Sequence, residues 1–212
     1  MTSGFELRGA LVIDEMQPQF AATIAANSDG YFPVAGDSAF WLEVRPGIVI
    51  NRLMDVALKN CDVTPGALIT ERSYGTLEVH GPDQGQVREA GRRILQEAGV
   101  TAEDGLRPNV MTDEIIRKID SHQAMLINRS RDGMLIVADD TFYTLEVNPA
   151  IWVLYAANEA EKTSPIRIVG LSNNGAVGRL QLAGGDAEIE EAAAAVRRTL
   201  EGIAGRSNQG VD

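Results

Sequence analysis

The sequence predicts a duplicated α/β (α+β) fold: two tandem copies of one small domain, each a mainly antiparallel sheet with helices on one face. Three observations predict it. First, an aromatic and β-branched run ending in proline occurs twice, as Phe40-Trp41-Leu42-Glu43-Val44-Arg45-Pro46 and as Phe142-Tyr143-Thr144-Leu145-Glu146-Val147-Asn148-Pro149. Second, Leu42 and Leu145 are 103 positions apart, as are Pro46 and Pro149, and this register holds without a gap. Third, each copy passes from strand-like to helix-like apolar spacing in the same order.

The register extends well beyond the two runs. Upstream, Asp29-Gly30 returns as Asp132-Gly133 and Val34-Ala35 as Val137-Ala138. Downstream, Ala57, Lys59, Gly75, Leu77, Gly81 and Asp83 return as Ala160, Lys162, Gly178, Leu180, Gly184 and Asp186. In copy one, Ala39 to Val44 reads as a strand, and Pro46 suits the first turn of a helix because its missing N–H is not needed there. That helix runs from about Gly47 to Asn60, with Val49, Leu53, Val56 and Ala57 on one face. A strand over Ala67 to Thr70, a Ser73-Tyr74-Gly75 turn and a strand over Thr76 to His80 follow. A closing helix starts at Asp83 or Gln84 and turns Val87, Ala90, Gly91, Ile94 and Ala98 inward.

Copy two repeats this order with a helix over Ile151 to Lys162, strands over Ile166 to Val169 and Arg179 to Ala183, and a helix over Asp186 to Ile203. Asp83 and Asp186 stand where N-caps are expected. Short apolar segments at about Phe20 to Ile24 and Ala124 to Ile127 read as one further strand ahead of each copy. The expected division is residues 1–107, residues 108–205 and a fraying tail, 206–212, which has no periodic apolar face.

With 212 residues, 44% hydrophobic and 23% charged, the composition is that of a globular chain. The net charge of -11 argues against nucleic acid, whose phosphates need clustered Lys and Arg. No apolar stretch approaches the roughly 20 residues that cross a bilayer. The N-terminus lacks a basic-then-apolar leader, and the single Cys61 fits a reducing compartment, so a cytoplasmic location is expected.

With the repeat established, the pattern resembles the bacterial microcompartment (BMC) shell proteins over nearly the whole chain. Asp55-Val56-Ala57-Leu58-Lys59-Asn60 carries the Asp and Lys that end the first helix of that domain, and copy two keeps Lys162 while Asn158 replaces the aspartate. A strand-like segment ahead of each copy, in place of one after the last helix, is similar to the circularly permuted, tandem-domain branch. The resemblance implies a homotrimer whose six domains form a pseudohexameric tile around a central pore, with some members stacking two trimers face to face. It also implies neighbouring shell proteins and small metabolites as partners, and no cofactor.

Glu71-Arg72 followed by Ser73-Tyr74 is similar to the Glu-Arg pore loop of the gated members, whereas copy two has Asn173-Asn174-Gly175. The resemblance therefore implies a pore lined by these seven residues, with charges of threefold symmetry. One exposed Glu–Arg pair per subunit, at about 0.2–1 kcal/mol each, totals roughly 1–3 kcal/mol, enough to bias a gate that a metabolite could reverse. Lys59 and Lys162 are expected at the tile edge, each laying its aliphatic stem along a neighbour.

Other candidates receive plainer readings. His80 and His122 share no metal-ligand spacing, and Cys61 lies away from the pore loops, so no metal site is expected. Glu43 and Glu146 recur through duplication and are expected to satisfy backbone or a neighbouring subunit, not to act as paired catalytic acids. No phosphate loop, dinucleotide fingerprint or nucleophile elbow is present. Two alternatives remain open: a trimeric small-molecule sensor, and an enzyme using Glu43, Glu146 or His80.

Overall fold

The computed structural model describes residues 5–208. Each copy forms a four-stranded antiparallel sheet. In copy one the strands are β1 (Glu6–Ile13), β2 (Ser38–Arg45), β3 (Thr64–Glu71) and β4 (Tyr74–Gly81), arranged β1-β2-β4-β3. In copy two β5 (Asn109–Ile116), β6 (Thr141–Asn148), β7 (Arg167–Ser172) and β8 (Gly178–Gly184) repeat that order as β5-β6-β8-β7. The helices are α1 (Pro18–Asn27), α2 (Ile50–Asn60), α3 (Gln84–Ala98), α4 (Ser121–Ser130), α5 (Trp152–Thr163) and α6 (Asp186–Glu201).

Alternation along β2 divides the core into two layers. Phe40, Leu42 and Val44 face α2 and α3, where Leu53, Ala57, Val87, Ala90 and Ile94 are buried against them. Ala39 and Trp41 face the other way and join a cluster that continues through α1 into copy two. The expected inward residues of α3 are all buried, and Gly91 is required there because a Cβ would meet the Phe40 ring at 2.5 Å. Asp83 caps α3 by accepting from the Gly85 and Gln86 N–H groups.

Several expectations need correction. Phe20 to Ile24 and Ala124 to Ile127 belong to helices α1 and α4, and the extra strands are β1 and β5, which lie further upstream. Pro18 in the first turn of α1 and Asp120 as N-cap of α4 supply the local reasons. Pro46 lies one residue ahead of the helical turn at Gly47–Val49, outside it. Gly185, not Asp186, caps α6; its N–H is held by Glu188, while Asp186 accepts from the Thr141 hydroxyl.

The hairpin turn after β3 is Arg72-Ser73, with Glu71 and Tyr74 its last paired residues, because Tyr74 and Gly75 already belong to β4. Part of the expected tail is also held. Arg206 pairs with the linker through Arg206 N–H to Gly105 O at 2.7 Å and Arg107 N–H to Arg206 O at 3.0 Å, and Asn208 reaches Asn148. Residues 209–212 lie outside the described residues. Among those described, no helix is long and apolar enough to cross a membrane.

Candidate functional site

The chemistry-bearing parts of the chain are the loops at the ends of β3 and β7 and the surface by which copy one packs on copy two. The hairpin at Glu71 to Tyr74 is pinned at its base. Gly47 N–H donates to Ser73 O at 2.9 Å, and a Cβ on Gly75 would stand 2.3 Å from Gly47 O, so only glycine permits this approach. Above that base, Glu71, Arg72 and Ser73 are exposed and Tyr74 is half-buried. Arg72 adopts φ 53, a left-handed conformation that costs an L-residue about 1 kcal/mol.

The loop of copy two, Asn173 to Ala176, lies beside this hairpin in the same chain. Gly175, at φ 88, stands against the Glu71 carboxylate: a Cβ there would be 3.1 Å from Oε2. Folding thus brings together the two loops that the 103-residue register makes equivalent. Behind them sits a buried charge that the sequence reading missed. Arg8 Nε donates to Glu43 Oε1 at 2.5 Å, its Nη2 donates to Ala176 O at 3.3 Å, and its guanidinium carbon lies 4.4 Å from the centre of the Tyr74 ring. Glu43 also accepts from the Ile151 N–H of copy two at 2.8 Å, so it does satisfy backbone, as expected. Burial pushes the Glu43 carboxyl above its ordinary range, and Arg8 opposes that rise.

A cavity of about 230 Å³ opens between the copies, lined by Asn27, Ser28 and Trp41 from copy one and Asp132, Asn173 and Asn174 from copy two. Three of its lining groups, Trp41 Nε1, Asn173 Nδ2 and Asn174 Oδ1, are buried with no hydrogen-bond partner among the described residues. A second buried ionisable pair lies on β4, where His80 Nδ1 is 3.0 Å from Glu78 Oε1. Burial raises Glu78, with the His80 contact and the Gly66 N–H opposing the rise. Glu146 pairs instead with Arg179 near the surface, so Glu43, Glu146 and His80 do not converge on one site. Lys59 and Lys162 are exposed on α2 and α5, each beside an acidic residue of its own helix, Asp55 at 2.7 Å and Glu159 at 3.4 Å.

The join between copies has unsatisfied counterparts. Copy one lays α1 and β1 onto α5 and β7 of copy two: Glu161 accepts from the Gln19 and Phe20 N–H groups, and Asn158 accepts from Gln17 N–H. Shifting this join by 103 residues sets α4 and β5 onto α2 and β3, surfaces that no single chain can bring together. They are apolar and bare. Ile151 is 0% exposed while its equivalent Ile48 is 68% exposed; Leu171 is at 6% and Leu68 at 46%; Leu7 is at 2% and Val110 at 44%. Leu126 and Met111, the equivalents of Thr23 and Arg8, are likewise exposed. One such join is made internally, and each chain carries both halves of a second that it leaves open.

The comparisons agree with this geometry. A family model described as CsoS1D N-terminal domain matches residues 7–104. The carboxysome shell protein CcmP of Synechococcus elongatus is 45% identical over 207 residues, covering 98% of this chain and 97% of that protein. The carboxysome shell protein CsoS1D of Hydrogenovibrio crunogenus is 42% identical over 203 residues, with 95% and 99% covered. Among solved structures, a double ringed trimeric shell protein from the RMM microcompartment superposes with TM-score 0.93 at 36% identity, covering 96% of this chain and all of that one. A fused permuted hexameric shell protein from the same compartment gives TM-score 0.92 at 37% identity, with 95% and 99% covered.

Proposed function

The chain belongs to the tandem, circularly permuted trimeric family of microcompartment shell proteins, and on that premise we propose that it tiles a carboxysome shell as a homotrimer around a central pore. It is a structural shell subunit and not an enzyme. The observation that carries the tile reading is the repeated join: six equivalent copies, two per chain and divided near residue 107, form a ring when Ile48, Leu68, Val110 and Leu126 are covered as their counterparts already are. Electron microscopy of the purified chain tests it. Six-lobed discs that pack edge to edge support the tile, and dispersed single chains at micromolar concentration count against it.

In such a ring the loops at Glu71, Arg72, Ser73 and Tyr74 and at Asn173, Asn174 and Gly175 alternate around the axis, where a charged side chain is repeated three times. Lys59 and Lys162 stand at the rim, outside the join, where neighbouring tiles meet. The apolar loops Tyr31-Phe32 with Val34, and Met134-Leu135 with Val137, are exposed in both copies. Rotation about the ring axis keeps all six on one face, which suits the stacking of a second trimer.

A second role follows from the cavity. Its unpaired donors and acceptor suit a small uncharged polar molecule, and its lining holds Asp132 but no Lys or Arg, which disfavours anions. The volume equals about eight waters at roughly 30 Å³ each. Crystals soaked with a small polyol separate the outcomes: density bonded to Asn173 and Trp41 supports a ligand, and ordered water alone removes this role.

A further inference from the structure

We propose that Arg8 is a positioning residue that ties the two pore-facing loops of one chain into a single mechanical unit, so that a gate at the axis moves as three loop pairs and not as six separate loops. This rests on the pore reading above.

Arg8 is the extra residue of a β-bulge: Leu7 pairs with Val44 and Gly9 with Glu43, leaving Arg8 opposite no residue on β2. A bulge re-aims a side chain out of the regular strand alternation. Here it delivers a guanidinium, 5% exposed, into the space between the copies. Its three contacts go to three different segments: Glu43 on β2, the ring of Tyr74 at the hairpin base, and the Ala176 carbonyl at the end of the copy-two loop. Glu43 extends the network by accepting from Ile151 N–H at the start of α5. Asn148 Nδ2 also donates to Ala176 O, so the same carbonyl is held from both copies.

The equivalent seam cannot contain this device. The bulge recurs in β5 between Val110 and Thr112, but the residue on it is Met111, and Glu146 is taken by Arg179. Position 74 is matched by Val177, which has no ring to offer a cation. In a closed ring the clamp therefore occupies three of six seams and skips the three between chains. The duplication supplied the bulge; only copy one places a charge on it. A buried arginine that merely filled space would not need partners on both loops.

Removing Arg8 alone would strand a buried carboxylate, so the test uses Arg8→Met with Glu43→Gln. Met is the residue at position 111, and the Gln side-chain oxygen still accepts from Ile151 N–H. Amide hydrogen exchange is followed on the full-length trimer. The double variant is expected to exchange about tenfold faster or more in both residues 71–75 and residues 173–177, with trimer mass and the α3 and α6 amides unchanged. Tyr74→Leu, which leaves the buried ion pair intact, is expected to loosen 71–75 alone. Acceleration confined to β1 and β2, or to only one loop in the double variant, overturns the clamp. Passage of a labelled solute through reconstituted shells tests the pore itself: unchanged passage with both loops loosened discards the pore reading and keeps the clamp.

Discussion

Ile48 and Ile151 are the same residue at equivalent positions, 68% and 0% exposed, and truncating each to alanine should have opposite consequences. Ile→Ala removes three methyl or methylene groups, each worth about 0.8 kcal/mol when buried. If two-thirds of that surface is newly covered on assembly, Ile48→Ala costs about 1.6 kcal/mol per join and about 5 kcal/mol over the three joins of a trimer. That weakens the trimer by about three to four powers of ten while leaving the fold of the single chain almost untouched. Ile151→Ala instead opens a hole inside the chain and should cost about 2–5 kcal/mol of folding stability. Mass photometry across a dilution series reads the first effect, and urea unfolding of the dissociated chain reads the second. An Ile48→Ala trimer that survives dilution as wild type does would refute the repeated join, which requires this side chain to be covered on assembly.

Glu78→Gln places on β4 the residue that Gln181 already provides on β8. Because burial raises Glu78, the folded chain holds a proton that the unfolded chain has released, and wild-type stability falls as pH rises from about 4.5 towards the folded pKa. Unfolding curves at stepped pH should show the variant gaining on wild type through that window and holding a constant lead above it; a pH-independent gap contradicts the buried-proton account. Arg72→Gly relieves the left-handed residue and should raise unfolding stability by about 1 kcal/mol while altering solute passage, whereas lower stability would show that Arg72 makes an anchoring contact. Lys59→Ala with Lys162→Ala should weaken two-dimensional sheets and spare the trimer, and loss of the trimer would move both lysines from the rim to the join.

Much of the fold was legible because its signals are local. The strand centred on Leu42, the capped helix after Asp83 and their copies at Leu145 and Asp186 each carry apolar spacing that neighbours in sequence can set. The misread segments are those where local spacing is ambiguous. Phe20 to Ile24 is a short apolar run that fits a strand or a helix equally, and the decisive sign was Pro18 in the first turn. β1 was overlooked because it is covered on both faces by parts of the chain far away in sequence, and because Arg8 and Gly9 interrupt its apolar run. The loops at Glu71 and at Asn173 were singled out by the family resemblance together with the register, but their contact through Glu71 and Gly175 was not legible, nor was the arginine behind them.

The sequence by itself determined that one domain occurs twice, the order of its elements from the strands at Leu42 and Leu145 onward, and which charged residues each copy carries. The tertiary structure decided which of two equivalent surfaces is sealed within the chain. α1 and β1 belong to the copy that comes first, so copy two is tethered within reach and covers them at no cost in concentration; the corresponding outward side chains of α4 and β5, Leu126, Val110 and Met111, stay exposed. Identical patterns thus end in different environments. Apolar spacing specifies that a face must be buried, but chain connectivity specifies by what.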